Sequence, residues 1–298
     1  MLSLLAEAAN QPIYWSDLGL TPGIDLGFFT LRWYSLAYIA GIVLAYWHLS
    51  RMIKAPGTPM NQTHVDDLLF YCTLGVIFGG RLGYAIFYRP ELFVDFSHEG
   101  WMPWGLLRLW DGGMSFHGGV IGVVLALLWV SYRNNLNWLR VADYIAVNVP
   151  FGMFFGRLAN FVNAELYGRH TDAPIGMVFP EGYVRGSTPP AYNWDTGEWA
   201  YTDFETARHP SQLYESVLEG WLPLIVGSIL IWRFGALKRP GLIAGLFLLI
   251  YATGRTIVEN FRLPDSFVEG LPDWITMGQL LSIPMWIGGA WLVWNALK

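Results

Sequence analysis

Residues 241–262 read GLIAGLFLLIYATGRTIVENFR. A largely apolar run of about 20 residues is long enough to cross the hydrocarbon core of a bilayer as a helix. Its second half also carries charged residues, which membrane helices rarely contain without a function. Six further segments are similar, so the sequence predicts an all-α integral membrane protein with seven transmembrane helices at 30–50, 65–88, 113–132, 141–163, 211–232, 241–262 and 275–297.

The composition excludes several classes of protein. Hydrophobic residues make up 54% of the 298 residues and charged residues 14%, whereas soluble domains carry about 25% charged residues. The formal net charge of −5 leaves no basic arm for a polyanion, so we expect no nucleic-acid partner. The single cysteine, Cys72, excludes a disulfide framework within the chain and a cysteine zinc cluster.

Basic residues predict the orientation of the helices. The loops 51–64, 131–140 and 233–240 contain Lys and Arg but no Asp or Glu. Because such loops are typical of the cytoplasmic side, we expect the amino terminus outside and the carboxyl terminus in the cytoplasm. No Lys or Arg occurs in the first twenty residues, so no secretory signal peptide is expected. We predict one domain over 1–298, with a folded outer cap at 164–210 between helices 4 and 5.

Glycines at four-residue spacing predict close helix packing. Such faces allow two helix backbones to approach each other in lipid. They occur at Gly75, Gly79 and Gly83, and as the pairs Gly118/Gly122, Gly152/Gly156 and Gly241/Gly245.

Polar residues gather in the outer halves of the predicted helices. Tyr251, Arg255, Glu259 and Arg262 stand at i, i+4, i+8 and i+11, so they are expected to form one stripe facing the bundle interior. The predicted topology places polar residues of other helices at the same level, namely Tyr34, Arg81, His117, Arg157 and Asn160.

The arginines at this level predict an anion site. Arg81, Arg157 and Arg255 outnumber the one carboxylate considered, Glu259. Excess positive charge in a low-dielectric pocket favours an anionic ligand, and the planar guanidinium fork suits phosphate. A phospholipid headgroup is the nearest phosphate. The alternative is a structural ion pair between Arg255 and Glu259.

Residues 111–119, DGGMSFHGG, contain a candidate base. The glycines leave the ring of His117 accessible, and histidine titrates near neutral pH. The alternative is a structural histidine that only donates or accepts a hydrogen bond. The sequence contains no HExxH, GxSxG or P-loop motif, and no set of metal ligands at a suitable spacing. We therefore expect neither a metal nor a cofactor.

Residues 156–168 read GRLANFVNAELYG. They resemble the signature of the prolipoprotein diacylglyceryl transferases, Gly-Arg-x-(Gly/Ala)-Asn-Phe-x-Asn-x-Glu-x-x-Gly, at every specified position. Other segments are similar to the same family: RWYSLAY at 32–38, GGRLGYAIFY at 79–88, WDGGMSFHGG at 110–119, RHPSQLYE at 208–215 and MGQLLSIPM at 277–285.

The resemblance implies a multi-pass enzyme of the bacterial plasma membrane, with its active site facing the outer leaflet and the periplasm. Such an enzyme transfers the sn-1,2-diacylglyceryl group of phosphatidylglycerol to the lipobox cysteine of a prolipoprotein signal peptide. A thioether forms and glycerol phosphate leaves, which is the first step of lipoprotein maturation. The implied partners are phosphatidylglycerol, prolipoproteins and the lipid bilayer.

The resemblance also assigns roles to residues. We expect Arg157 and Arg255 to grip the phosphate, Glu259 to orient Arg255, and His117 to accept the thiol proton. Positive surroundings alone could lower the thiol pKa instead. The expected catalytic residues are His117, Arg157, Arg255, Glu259 and Tyr34. Those expected to bind phosphatidylglycerol are Arg157, Asn160, Glu165, Gly168, Arg255, Tyr251 and Arg262.

Two other functions fit an anion site in a membrane protein. A transporter of a lipid anion would carry internal repeats and a binding site near the midplane, and the sequence has no visible repeat. A non-catalytic phospholipid-binding scaffold would keep the lipid site without the transfer reaction.

Overall fold

The computed structural model describes residues 13–97, 101–180, 192–193, 196–199, 206–263, 272 and 275–298. Seven long helices lie within these residues, one in each predicted segment, with ends that differ by a few residues. The helices are α1 (Trp33–Met52), α2 (Gln62–Phe87), α3 (Phe116–Arg133), α4 (Trp138–Val162), α5 (Ser211–Phe234), α6 (Leu242–Val258) and α7 (Met277–Leu297). The prediction of seven helices is confirmed.

Five of these helices, α2, α3, α4, α5 and α7, are long and apolar enough to cross a membrane. α6 is shorter, at 17 residues. Large apolar side chains point outward, including Phe70 (58% exposed), Leu125 (60%) and Ile287 (67%). An apolar surface of this kind is stable only against hydrocarbon or another protein.

Helices α4 and α5 are each interrupted beside a proline. α4 consists of Trp138–Ala146 and Val149–Val162, and Pro150 lies in the first turn of the second part. α5 widens into a π-helical turn at Ser216–Trp221, just before Pro223. Proline has no amide hydrogen to donate to the preceding turn, so it fits where a helical segment begins.

The chain forms two compact units, 1–45 with 145–298 (the first unit) and 46–144 (the second unit). In the second unit, α2 and α3 pack backbone against backbone. A Cβ added at Gly79 would lie 3.0 Å from Gly122 Cα, and one added at Gly83 would lie 2.7 Å from Gly118 Cα. The close packing predicted for these glycines is therefore confirmed.

Glycines also set helix contacts in the first unit. A Cβ added at Gly41 of α1 would lie 3.0 Å from Gly152 Cα of α4, and one added at Gly245 of α6 would lie 2.8 Å from the Gly289 oxygen of α7. Nothing lies within 4 Å of a Cβ added at Gly152 or at Gly156. The close packing predicted from the glycine spacing in α4 is therefore limited to the approach of Gly41 to Gly152.

Short strands lie outside the helices of the first unit. β1 (Ile13–Tyr14) pairs in parallel with β4 (Met177–Val178). β2 (Gly23–Asp25) and β3 (Thr30–Arg32) form an antiparallel hairpin directly before α1, so residues 30–32 are strand rather than the start of the first helix. β5 (Tyr192–Asn193) and β6 (Glu198–Trp199) form a second hairpin.

An aromatic core holds the described part of the 164–210 segment. The indole of Trp15 is fully buried, donates from Nε1 to the Phe161 carbonyl at 3.0 Å and packs edge-on against Trp199. Tyr167 and Phe179 stack beside it, with ring centroids 5.0 Å apart. Residues that precede α1 therefore belong to the same core as the segment between α4 and α5.

Candidate active site

Two buried glutamates on α5 occupy the centre of the first unit's charged cluster. Glu215 is 1% exposed and Glu219 is 0% exposed. Arg157 Nε lies 2.6 Å from Glu215 Oε2, and Arg157 Nη2 lies 3.8 Å from Glu219 Oε2. Arg157 of α4 is therefore paired with glutamates of α5.

The end of α6 contributes the rest of the cluster. Arg255 Nη2 lies 2.5 Å from Glu259 Oε1, the pair expected from their i,i+4 spacing. The helix itself ends at Val258. Arg262 lies beyond it, in a β-bridge with Gly168, yet its Nε is 3.4 Å from Glu215 Oε1. The predicted helical stripe is thus wrong at Arg262, although the side chain still reaches the cluster.

The expected excess of positive charge was wrong. Three arginines are paired with three glutamates, because α5 supplies two carboxylates in addition to Glu259. The members of the cluster are Arg157, Arg255, Arg262, Glu215, Glu219 and Glu259. The oxygens of Glu215 and Glu219 have no hydrogen-bond donor of regular geometry among the described residues, so charge is what holds them against the guanidinium groups. Arg157 has the most exposed side chain of the three arginines, at 23%, against 11% for Arg255 and 7% for Arg262.

A strained turn follows α4 within the segment 156–168. Ala164 and Leu166 both have left-handed backbone conformations, with φ of 52° and 56°. Such conformations cost energy in residues other than glycine and are concentrated at functional sites. The turn brings the Glu165 amide to the Asn160 carbonyl at 2.8 Å. Burial raises the pKa of the Glu165 carboxyl, which also has a side-chain hydrogen bond with Asn160.

The start of α5 holds this turn in place. Gln212 Nε2 donates to the Glu165 carbonyl at 2.6 Å, and Ser211 Oγ donates to the Leu166 carbonyl at 3.2 Å. The segments 156–168 and 208–215, noted separately in the sequence, are therefore one structural feature.

Gly168 lies where three backbone segments meet. Its amide donates to the His209 carbonyl at 2.8 Å, and a Cβ added there would overlap the Phe261 carbonyl oxygen. Arg169 Nε donates to the Arg262 carbonyl at 2.8 Å. The glycine thus allows the chain after α4 to bind the chain after α6, and this contact fixes the backbone of Arg262.

Two tyrosines border the cluster. Tyr34 of α1 is close enough to Glu165 and Arg157 for electrostatic interaction with both, and its hydroxyl lies 3.5 Å from that of Tyr38. Tyr251 of α6 is close enough to Glu219 and Arg255 for electrostatic interaction with both. All of the predicted site residues except His117 therefore lie in or beside one cluster of the first unit.

His117 lies in the second unit. It is exposed, in the first turn of α3, which the Ser115 side chain caps. The loop before it is held by Arg81, which is 4% exposed. The Arg81 guanidinium donates to the carbonyls of residues Gly105 (2.6 Å), Leu106 (2.9 Å) and Arg108 (3.0 Å), and to those of Gly112 and Gly113. These contacts give Arg81 a structural role.

The comparisons with known proteins decide the family. The sequence model of the family "Prolipoprotein diacylglyceryl transferase" matches residues 23–295. The chain belongs to this family. The curated phosphatidylglycerol–prolipoprotein diacylglyceryl transferase of Erythrobacter litoralis (strain HTCC2594) is 56% identical over 295 residues, which cover 98% of this chain and 95% of the relative.

More distant members of the prolipoprotein diacylglyceryl transferase family are similar in sequence to this chain over most of its length. The protein of the same name from Zymomonas mobilis is 43% identical, with 98% of this chain and 96% of the relative covered. That from Phenylobacterium zucineum is 44% identical, with 92% of each chain covered. Like its relatives, the chain is a bacterial-type multi-pass membrane protein.

Two members of the cluster, Glu215 and Glu219, and the adjacent Gly278 are not among the residues predicted for the site. Glu215 and Glu219 stand at i,i+4 in an apolar segment, and that spacing of two carboxylates was a usable signal. Gly278 gave no such signal. A Cβ added to it would overlap the Glu259 carboxylate and lie 3.1 Å from Arg255 Nε, so α7 packs directly on this ion pair. Among the described residues, no group of His, Cys, Asp or Glu side chains could hold a metal ion.

Proposed function

We infer that this protein transfers the diacylglyceryl group of phosphatidylglycerol to the lipobox cysteine thiol of a prolipoprotein. The sulfur forms a thioether with the glyceryl carbon, the bond from that carbon to the phosphate oxygen breaks, and glycerol phosphate leaves. The observation that carries this assignment is the 56% identity over 98% of the chain to a relative named for that activity.

The arginine cluster supports phosphate recognition. The leaving group gains negative charge as its carbon–oxygen bond breaks, and fixed donors aimed at developing charge are usually the largest catalytic contribution. Arg157 has the most exposed side chain of the cluster, at 23%, while Arg255 and Arg262 are 11% and 7% exposed. We assign Arg157 and Arg255 to the phosphate, and Glu259, 2.5 Å from Arg255, to the orientation of that arginine.

The residues around the cluster support binding of the rest of the headgroup. Asn160 is buried and Glu165 lies on the strained turn, while Tyr34 and Tyr251 present hydroxyl groups at the border. These side chains offer hydrogen-bond partners to glycerol hydroxyls. Gly168 contributes through the backbone that it allows to approach.

The distribution of Lys and Arg supports an orientation with the amino terminus outside and the carboxyl terminus in the cytoplasm. In a bacterial plasma membrane, this arrangement would place the cluster towards the outer leaflet and the periplasm.

A mass-spectrometric transfer assay tests the function. Purified protein in detergent receives phosphatidylglycerol and a peptide with a lipobox cysteine. We expect a diacylglyceryl mass increment on the cysteine and the release of glycerol phosphate. If a known family enzyme gives the increment and this protein gives none while still binding phosphatidylglycerol, the protein is a lipid-binding scaffold instead.

His117 is our proposed acceptor of the thiol proton, because a thiol with a pKa near 8.5 is mostly protonated at neutral pH. In the same assay, we expect His117→Gln to lower turnover by about 10²–10⁴-fold. The loss should shrink as the pH is raised towards 9, where the thiol ionises without a base. Near-normal turnover at pH 7 would remove His117 from this role. His64→Gln, at the start of α2, is the control substitution.

A further inference from the structure

We propose that Glu215 is a positioning residue that holds all three arginines of the cluster in place, including the two assigned to the phosphate. The proposal rests on the function inferred above and goes beyond it, because Glu215 belongs neither to the 156–168 segment nor to the residues expected to act. Its carboxylate is fully buried, so it acts through the arginines rather than on the lipid.

Glu215 is the meeting point of three structural elements. One oxygen, Oε2, lies 2.6 Å from Arg157 Nε on α4. The other, Oε1, lies 3.4 Å from Arg262 Nε beyond α6 and 3.9 Å from Arg255 Nη1 on α6. A single carboxylate therefore sets the spacing between arginines that come from separate parts of the chain.

The same short stretch of α5 also sets the backbone around the site. Ser211 and Gln212 hold the strained turn at 165–166, and Glu215 follows Gln212 by three residues, about one turn further along the helix. A shift of this helix start would move the turn and the arginines together. We infer that the start of α5 positions both the strained turn at 165–166 and the arginines of the cluster.

Removal of the Glu215 charge distinguishes two possible roles of this residue, namely positioning the arginines and only neutralising their charge. Removing the Glu215 charge leaves three arginines against two carboxylates, so the attraction of an anion to the cluster is not weakened. Placement is what suffers, because Arg157 loses its shortest described ion pair. Misplacement of a catalytic group by about 1 Å can cost about 10²-fold in rate. A positioning role therefore predicts a loss of kcat without a rise in KM.

The experiment compares Glu215→Gln with Glu219→Gln. Both substitutions remove one buried carboxylate from the same helix and preserve its size, but the Glu219 ion pairs with Arg157 and Arg255 measure 3.8 Å. In the transfer assay, we expect Glu215→Gln to lower kcat by about 100-fold with KM for phosphatidylglycerol unchanged or lower. Glu219→Gln is expected to lower kcat by only about fivefold. Exposed Glu91→Gln is the control for purification and assay.

A second variant covers the case in which Glu215→Gln does not fold. Glu215→Asp keeps the charge but withdraws the carboxylate by one methylene, and we expect it to lower kcat about tenfold with KM unchanged. Folding is checked by the thermal midpoint and by a single peak in size-exclusion chromatography.

Three results would overturn the proposal: a kcat within threefold of wild type for the folded Glu215 variant, equal losses for the Glu215 and Glu219 variants, or a loss confined to KM. An inactive wild-type protein would instead contradict the proposed function. An active wild type with an unaffected Glu215 variant would contradict only the positioning role.

Discussion

Replacing Arg157 with lysine is expected to lower the kcat of diacylglyceryl transfer by about 10²–10³-fold, although the charge is retained. Lysine presents a point charge on a flexible stem and cannot bind Glu215 and a phosphate with the two edges of one planar group. Arg157 is paired with Glu215 at 2.6 Å and is the most exposed arginine of the cluster. The measurement is kcat and KM for phosphatidylglycerol in the transfer assay.

Arg239→Lys provides the matched control, because Arg239 is exposed in the segment between α5 and α6. It should leave both constants unchanged. If Arg157→Lys keeps more than a tenth of the wild-type kcat, bidentate recognition of the phosphate by this residue is wrong.

Replacing Gly168 with alanine is expected to destabilise the fold and to abolish most transfer activity. The added methyl group would overlap the Phe261 carbonyl oxygen and lie 2.8 Å from His209 Cβ and 2.9 Å from the His209 oxygen. Two of these three contacts are backbone atoms, which cannot rotate away, so we expect a cost of about 1–3 kcal/mol. The thermal midpoint in detergent should fall, and activity should fall with it because Arg262 is bridged to Gly168.

Gly156→Ala tests the same chemical change within the same 156–168 segment. Nothing lies within 4 Å of the added carbon, and alanine is the better helix former, so stability and activity should be preserved. If Gly168→Ala were equally well tolerated, the close backbone approach at Gly168 would not be required. If it abolished activity with an unchanged midpoint, Gly168 would serve the substrate rather than the fold.

The seven helices could be predicted because their signal is local. Each is a mostly apolar run, and five of them are long and apolar enough to cross a bilayer. The glycines of α2 and α3 mark their common face by spacing alone. The helix ends were less predictable, because β3 and the bridge from Arg262 to Gly168 depend on partners distant in sequence. The contribution of Trp15 to the core around 164–179 had no local signal at all.

The site was partly predictable for the same reason. Arg157, Asn160 and Glu165 lie in one short segment, and Arg255 and Glu259 share one helix face. The charge balance of the cluster could not be predicted in this way, because it depends on which helix packs against the arginines. That helix is α5, which supplies Glu215 and Glu219. The left-handed conformations of Ala164 and Leu166 also escaped prediction, since neither residue type favours them.

The interlocking charges of α4, α5 and α6 have a consequence for the biogenesis of this protein. Arg157 is translated before Glu215 and Glu219, and a lone arginine in a membrane helix is costly to insert, by about 2.5–3.5 kcal/mol at the helix centre. α6 carries Arg255 and Glu259 as an i,i+4 pair, whereas Arg157 of α4 is paired with glutamates of α5, which also pair with Arg255 and Arg262. We therefore expect α4 to insert into a bilayer less efficiently on its own than together with α5, because Arg157 alone lacks the glutamates that neutralise its charge.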